Sequence, residues 1–399
     1  MQTRPSKSMK KPLPDKEWEI VLCCAKQLSV NPPENNLKEY ITGRIDWPVV
    51  FALAGKHGLT GFLYPSLAQH CRELMPEAAL NQLKSVYFQN STRNLLLSSC
   101  LIKILHLFKQ NDIEAIPFKG PVQSDLIYHD IGIRTFSDLD ILVKKENAVK
   151  AMNLLSEQGF KTCVKIPESQ NKEYLENENF FQLANISGDI NIDLHWEISG
   201  RYNLEPMYYP AEESLTPTLL LGKEIKTLNS EDMLIHLCIH GASHCWDKLE
   251  LICSVAKIAA SDFIGNWEHV IKKSEALRCK RMVLLGLQLA RNCFDIDLAS
   301  AIRSDIDRDP RIEKLSDYVL GKIKNRDVAL SERLSWRFSP IHFHVRDCFG
   351  DGVKYFLRLF FRPTIREWDK YPLPDSLLFL YRFLRPYRLI KEGLVKQHA

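Results

Sequence analysis

The sequence lacks any apolar run of the roughly 18 residues that a membrane-spanning helix needs. Residues 1–14 are basic, but they have no apolar stretch like that of a secretory signal peptide. We therefore expect a soluble, cytoplasmic protein without an integral membrane segment, preceded by a disordered tail over residues 1–15.

Ordered cysteine spacing and a strong excess of charge are also missing. The eleven cysteines are scattered without a C-x-x-C pair, which argues against a disulfide framework or a zinc site and favours the reducing cytosol. The net charge is +4 on 399 residues, so obligate binding of nucleic acid is not expected. A small molecule or a protein is the better expectation for what the chain acts on.

What is present is an ordinary globular composition, with 45% apolar and 26% charged residues on a chain long enough for two or three domains. The spacing of apolar residues divides the chain after its tail into four regions. These are an N-terminal helical region over 16–110, a mixed core over 111–200, a helical domain over 201–330, and an Arg- and aromatic-rich, less regular helical region over 331–399.

Three local patterns make further predictions. Segment 76–108 is expected to be one long or broken helix that packs on the core through a stripe formed by Leu95, Leu96, Cys100, Ile104, Leu107 and Phe108. Residues 167–178 are polar and predict a loop, for which a plain surface connection is favoured over a lid on the site. Ser230 is expected to cap the first helix of the helical domain.

The mixed core is organised around one stretch that carries paired acids. An apolar run over 113–118 is typical of a buried strand, the chain turns at Gly120 into a short helix, and 138–143 is a second strand. Asp138 and Asp140 are two residues apart on this strand, so their side chains should share a face. Two adjacent carboxylates repel unless a cation lies between them, and their hard oxygens suit Mg²⁺.

A third acid is expected beside this pair. Residues 191–196 alternate polar and apolar positions, as a half-buried strand does. If this strand lies beside the one with Asp138, Asp193 completes a triad able to hold two Mg²⁺ ions, with Mn²⁺ as a possible substitute, for phosphoryl transfer. His195 shares the face of Asp193, and two roles stay open: binding phosphate or acceptor as a proton shuttle, or orienting the acids through a hydrogen bond.

A phosphate-binding site is expected at the turn between the first strand and the short helix of the mixed core. Gly120 allows the backbone to approach an anion closely, and the helix that starts near Pro121 presents unpaired N–H groups. Lys119 and Arg134 add positive charge where a triphosphate would lie.

The order of these residues resembles the nucleotidyltransferase superfamily, and more closely its bacterial branch called the uncharacterised nucleotidyltransferase family. The matching motifs are FKG at 118–120, Tyr128, Arg134, DLDILV at 138–143 and DLHW at 193–196. Short motifs in the helical regions extend the resemblance over about residues 40–390. It implies an α+β fold, in which a nucleotidyltransferase-type mixed β-sheet core is flanked by N-terminal helices and a C-terminal helical bundle.

The sequence departs from the family pattern in one place that bears on chemistry. Family members usually carry an Asp where Ser254 stands, after Leu251-Ile252-Cys253. If that Asp helps to bind metal or acceptor, the acceptor chemistry of this chain differs. The wider superfamily has Gly-Gly or Gly-Ser in the phosphate turn, and Lys119-Gly120 agrees instead with the narrower branch.

Three histidines at positions 236, 240 and 244 lie on one face of a predicted helix. Such a row can bind Zn²⁺, but no carboxylate or Cys ligand stands at a suitable spacing, so a structural or substrate-facing role is favoured. His240 and His244 match a family motif and are expected to face a substrate cleft between the core and the helical domain.

Together these features predict a Mg²⁺-dependent nucleotidyltransferase that moves a nucleoside monophosphate from an NTP, with ATP favoured, to an unidentified small-molecule or protein acceptor and releases pyrophosphate. The predicted roles are catalysis and metal binding for Asp138, Asp140 and Asp193, and nucleotide binding for Lys119, Gly120, Arg134 and His195. Two alternatives remain: a catalytically inactive module of the same fold that binds a nucleotide or protein, and a toxin-like enzyme that modifies RNA or protein.

The C-terminal runs 356–362 and 377–394 mix Arg with Leu, Phe and Tyr. A basic amphipathic helix of this kind can lie on a membrane surface. Packing against the rest of the protein, with the Arg head groups exposed, is favoured here.

Overall fold

The computed structural model describes residues 15–30, 37–198, 202, 209–324 and 339–397. The predicted disordered tail lies outside the described residues, except for Asp15, which begins the first helix. Within the described residues, no helix is both long enough and apolar enough to cross a bilayer.

A five-stranded mixed sheet lies at the centre of the fold, as predicted. Its strands, in chain order, are β1 Ala115–Pro117, β2 Asp138–Val143, β3 Phe160–Thr162, β4 Phe180–Asn185 and β5 Asn191–His195. The order across the sheet is β1-β2-β5-β4-β3. Strands β2 and β5 are parallel, and the other neighbouring pairs are antiparallel. The fold is therefore α+β, with the strand that carries Asp193 beside the strand that carries Asp138 and Asp140.

Alternation along β2 directs its side chains into two different apolar cores. Leu139, Ile141 and Val143 pack in a core with strand β5 and the long N-terminal helix. Leu142 points to the opposite face and packs with the helical domain. Since side chains two apart share a face, Asp138 and Asp140 lie on the side of the sheet that the helical domain covers.

Helices precede the sheet: α1 Asp15–Val30, α2 Leu37–Tyr40, α3 Trp47–Lys56, α4 Thr60–His70 and α5 Glu77–Gln110. The segment that was predicted as one long or broken helix is the single helix α5. The predicted stripe on it was wrong at Leu95 and Leu96, which are exposed, whereas Asn94, Leu97 and Leu101 are buried. The buried face is rotated because Asn94 donates hydrogen bonds to backbone carbonyls of the core, a contact that apolar spacing does not reveal.

Three helices and a hairpin accompany the sheet. They are α6 Pro121–Tyr128, α7 Ala148–Glu157, α8 Asn171–Asn177, and the hairpin of β6 Leu215–Leu220 and β7 Lys223–Leu228. The prediction of a surface loop over 167–178 was wrong, because α8 forms there. Tyr174 of α8 is buried and stacks on Phe181 of the sheet, so one aromatic contact orders a segment whose composition is polar.

The helical domain contains α9 Ser230–Ser243, α10 Leu249–Ala259, α11 Trp267–Ala276, α12 Lys280–Phe294, α13 Ser300–Arg308 and α14 Arg311–Lys324. The capping residue of α9 is Asn229, not Ser230 as predicted, because the Asn229 side chain accepts a hydrogen bond from the backbone N–H of Asp232 at 2.8 Å. These helices and the N-terminal helices α1, α3 and α4 share one core. The predicted region boundaries stay a prediction.

The end of the chain is more regular than predicted. It forms α15 Ile341–His344, α16 Phe349–Phe361, α17 Ile365–Lys370 and α18 Tyr381–Gln397. Trp368 and Tyr381 join the core of the sheet. The prediction that arginine head groups face solvent was wrong at Arg385 and Arg388, which are buried because both approach the buried carboxylate of Glu367.

Candidate active site

The register of the parallel strands brings the acids together. Asp140 and Asp193 are direct partners across β2 and β5, and Asp138 is paired with Asn191. His195 lies two residues beyond Asp193 and therefore on the same face. Asp140 and His195 are buried, whereas Asp138 and Asp193 are half-buried towards the open end of the strands.

Asp140 is the best-connected of the acids. Its Oδ1 accepts a hydrogen bond from Lys119 Nζ at 2.8 Å and another from His195 Nε2 at 3.0 Å. Burial alone would raise the pKa of Asp140, but Lys119 and His195 outweigh it and hold the pKa well below its usual range. Burial also lowers the pKa of His195, so the imidazole is neutral near pH 7.

Asp193 is in the opposite electrostatic situation. Its Oδ1 is buried and has no hydrogen-bond partner. Burial and the repulsion from Asp140 and Asp138 raise its pKa to about 7. The pKa of Asp138 is also raised, by burial and by Asp140. These carboxylates are held close together with too little positive charge to satisfy them.

A cation fits this deficit. One ligand atom from each of Asp140, Asp193 and His195 can be chosen so that all lie within 4.8 Å of one another, and no other such group of three occurs in the described part of the chain. Asp138 is outside that group, although it shares the face of Asp140. The buried, unpartnered oxygen of Asp193 is the kind of acceptor that a hard divalent cation satisfies.

The turn between β1 and α6 lies directly beside the acids. Gly120 adopts φ +59, which an L side chain rarely adopts, and a Cβ built there would lie 3.4 Å from the Asp138 carbonyl oxygen. Helix α6 begins immediately afterwards at Pro121. The turn thus presents backbone and a helix N-terminus next to Lys119.

Arg134 is held by an acid that sequence reasoning missed. Its Nε donates to Glu250 Oε1 at 2.5 Å, and both side chains are largely buried. The Arg134 Nη1 is buried without a hydrogen-bond partner. Glu250 comes from α10, 116 residues away along the chain. In the sequence, Glu250 is marked only by its position one helical turn before Ser254, where the sequence departs from the pattern that the resemblance implies.

The loop that carries Arg134 is fixed from the long helix α5. The side-chain amides of Asn90 and Asn94 both donate to the Arg134 carbonyl oxygen, at 3.0 and 2.9 Å. Tyr87 donates to Asp130 at 2.5 Å. A Cβ on Gly132 would overlap side chains of α5, so the loop packs without a gap. The position of the guanidinium group is therefore set by the N-terminal region.

The histidines of α9 run from the core towards the outside. His236 is buried in edge-to-face contact with Phe118, with ring centroids 5.1 Å apart. Phe118 makes a second edge-to-face contact with His195, with ring centroids 5.3 Å apart. His240 stacks on His236, with centroids 5.8 Å apart, and its ring is tilted against that of His244, with centroids 4.6 Å apart. Burial, with Lys119 adding repulsion, holds the pKa values of His236 and His240 well below the usual range.

Ser254 lies where the resemblance to the family implies an Asp. It is buried on α10, and its hydroxyl oxygen is 3.2 Å from the hydroxyl of Tyr128. Ser254 also donates to the Glu250 carbonyl at 3.2 Å. The position therefore links α10 to the end of α6 and carries no charge in this chain.

A family model described as "Uncharacterised nucleotidyltransferase" matches residues 43–295, which is more than half of the chain and includes every side chain named in this site. Neither a curated protein nor a solved structure matches the chain.

Proposed function

This chain belongs to the uncharacterised nucleotidyltransferase family, as its motifs indicated, and we propose that it is a Mg²⁺-dependent enzyme that transfers a nucleoside monophosphate from an NTP to an acceptor and releases pyrophosphate. One observation carries this proposal: the buried, unpartnered oxygen of Asp193 stands beside Asp140 and Asp138 in a cluster deficient in positive charge.

Asp138, Asp140 and Asp193 are the proposed metal ligands, and His195 is close enough to Asp140 and Asp193 to join them at one ion. Oxygen ligands favour Mg²⁺, with two ions as the preferred number, and the imidazole makes Mn²⁺ acceptable. When bound, the metal would neutralise developing charge on the phosphates and activate the attacking oxygen.

The nucleotide is proposed to bind with its triphosphate over Gly120 and the N-terminus of α6, and ATP is the favoured donor. Lys119 directly precedes Gly120 and its ammonium contacts Asp140 at 2.8 Å, so it can contact a phosphate oxygen without leaving the site. Arg134 adds charge through a guanidinium group that Glu250 and α5 hold in place. These contacts would bind and orient the phosphates.

The acceptor is proposed to be a hydroxyl of a small molecule or a protein, in the cytoplasm. It would approach between the sheet and α9, where His240 and His244 are half-buried. A neutral imidazole at His240 can accept a hydrogen bond from such a hydroxyl, and the Asp193 carboxylate, beside a metal that activates the hydroxyl, is suited to help take its proton.

The test is calorimetric titration of each of the four common NTPs into the full chain, with Mg²⁺ and with EDTA. Asp140→Asn is the test variant, and Asp189→Asn is the matched control, because Asp189 lies exposed on the turn before β5. Binding that requires metal, is lost in Asp140→Asn and is retained in the control supports the proposal. Absence of binding by the parent with Mg²⁺ refutes it, provided that circular dichroism shows folded protein.

A catalytically inactive, nucleotide-binding module is the second candidate, and Ser254 favours it. A buried hydroxyl paired with Tyr128 replaces the acid of the family pattern. In this case the parent would bind NTP with Mg²⁺ but release no pyrophosphate with any acceptor pool, and Ser254→Asp would gain turnover. Pyrophosphate release by the parent excludes this candidate.

A further inference from the structure

Exposed apolar side chains concentrate near the end of the chain. More than half of the large apolar side chains that are exposed in the described residues lie between 349 and 390. On α16, Phe349, Val353 and Leu357 follow one another at steps of four residues, and therefore form a single row along the helix. A second row on α18 consists of Phe383, Tyr387 and Ile390. These six side chains are called the C-terminal apolar face.

Polar anchors explain why the row on α18 points outwards. Arg385 Nε donates to the Leu359 carbonyl of α16 at 2.5 Å, and Arg388 is bonded to the buried carboxylate of Glu367. The helix thus buries two arginines and exposes aromatic side chains, which is the reverse of the usual arrangement. Apolar burial within the chain does not account for this orientation, since it leaves the apolar row in water.

The charge around this face is mostly positive. The exposed charged side chains described on helices α16 to α18 are five cations, Lys354, Arg366, Lys370, Arg382 and Lys391, and one acid, Asp369. The acids Asp351 and Glu367 are buried, and each is paired with an arginine. Arg382 and Lys391 are next to Phe383 and Ile390 in the sequence of α18, and all four side chains are exposed. An apolar face bordered by cations is complementary to a layer that is apolar inside and anionic at its surface.

Two other possible partners of the C-terminal apolar face, a second copy of the chain and an RNA strand, fit it less well. A second copy of the chain would bring the same cations against their own equivalents, which opposes close approach. An RNA strand would match the charge and could stack on Phe349, Phe383 and Tyr387, but it would leave the aliphatic side chains Val353, Leu357 and Ile390 without an apolar partner.

We propose that helices α16 and α18 dock this protein peripherally on an anionic phospholipid surface, with the C-terminal apolar face in the headgroup boundary and the flanking cations on lipid phosphates. This docking does not depend on the proposed nucleotidyltransferase activity. It requires no membrane-spanning helix.

The test is co-sedimentation of the full chain with phosphatidylcholine vesicles, with and without phosphatidylserine, at low and high salt. The first variant is Phe383→Ser/Ile390→Ser, at side chains that are 65% and 62% exposed. Its matched control is Leu96→Ser/Leu219→Ser, at side chains that are 66% and 61% exposed elsewhere on the molecule. We expect binding only with phosphatidylserine, weakened by salt, and reduced on the order of tenfold in the first variant but unchanged in the control.

A second pair of variants tests the charge. Arg382→Glu/Lys391→Glu should also release the protein from the anionic vesicles, whereas Lys161→Glu/Lys223→Glu, the same charge change at exposed sites elsewhere, should not. Thermal unfolding of each variant verifies that it is folded. The proposal is overturned by a parent that does not sediment with anionic vesicles, by equal binding of test and control variants, or by light scattering that shows a dimer which Phe383→Ser/Ile390→Ser converts to a monomer.

Discussion

Replacing Asp193 by Asn should change how the stability of the metal-free protein depends on pH. Burial and the repulsion from Asp140 and Asp138 raise the pKa of Asp193 from 3.8 to about 7 in the folded state. Between these values the folded protein holds a proton that the unfolded chain has released. The folded state is therefore favoured at the acidic end of this window, and the contribution of Asp193 to stability is lost as pH rises towards 7.

The size of the effect follows from the two pKa values. The ionisation of Asp193 changes the free energy of unfolding by roughly 4 kcal/mol over the full range of pH. Roughly 2–3 kcal/mol of this change falls between about pH 5 and about pH 8. Asparagine has nearly the same shape and cannot ionise. Between these two pH values, the free energy of unfolding of Asp193→Asn should therefore gain roughly 2–3 kcal/mol relative to that of the parent.

The assay is urea unfolding of both proteins in EDTA at the two pH values. Glu197, whose pKa burial also raises to about 7, contributes equally to both proteins and cancels in the comparison. Addition of Mg²⁺ should stabilise the parent more at the higher pH, because the cation competes with the proton, and should stabilise Asp193→Asn less. A difference in stability between the two proteins that is the same at both pH values would refute this reasoning.

Three substitutions around the Arg134 loop should each lower the free energy of unfolding, as measured by chemical denaturation. Gly61→Ala places a Cβ against the Ile133 carbonyl and should cost at least about 2 kcal/mol; wild-type stability would mean that the loop is not packed on α4. Asn94→Ala removes a 2.9 Å hydrogen bond to the Arg134 carbonyl and should cost about 1–2 kcal/mol, unless the loop is held without it. Glu250→Gln leaves the largely buried Arg134 without its carboxylate and should cost about 3 kcal/mol; a loss below about 1 kcal/mol would show the pair to be dispensable.

The centre of the fold could be predicted from the sequence because its signals are local. Alternation along 138–143 and 191–195 identifies both strands and places Asp138, Asp140 and Asp193 on determined faces. The parallel pairing of these strands required one further inference, that the three acids act together, and the strand register confirms that pairing. The site roles of the individual residues stay a prediction.

Features that depend on distant parts of the chain could not be predicted. Glu250 reaches Arg134 from another region, and no local pattern marks it as a partner. Helix α8 forms because Tyr174 meets Phe181 of the sheet, although the surrounding residues are polar. In α5 and α18, hydrogen bonds of Asn94 and Arg388 decide which face is buried, and a reading of apolar spacing alone selects the wrong one.

The ion pair between Lys119 and Asp140 has a consequence for how ligands would cooperate. A metal ion that binds Asp140 competes for the oxygen that the Lys119 ammonium now contacts at 2.8 Å. A triphosphate over Gly120 would offer that ammonium a new anion, so each ligand would lower the cost of binding the other. Because such coupling is reciprocal, the factor by which nucleotide tightens the metal must equal the factor by which metal tightens the nucleotide. Free Mg²⁺ alone would then bind weakly, and the complex of metal and nucleotide would be the species that the site selects.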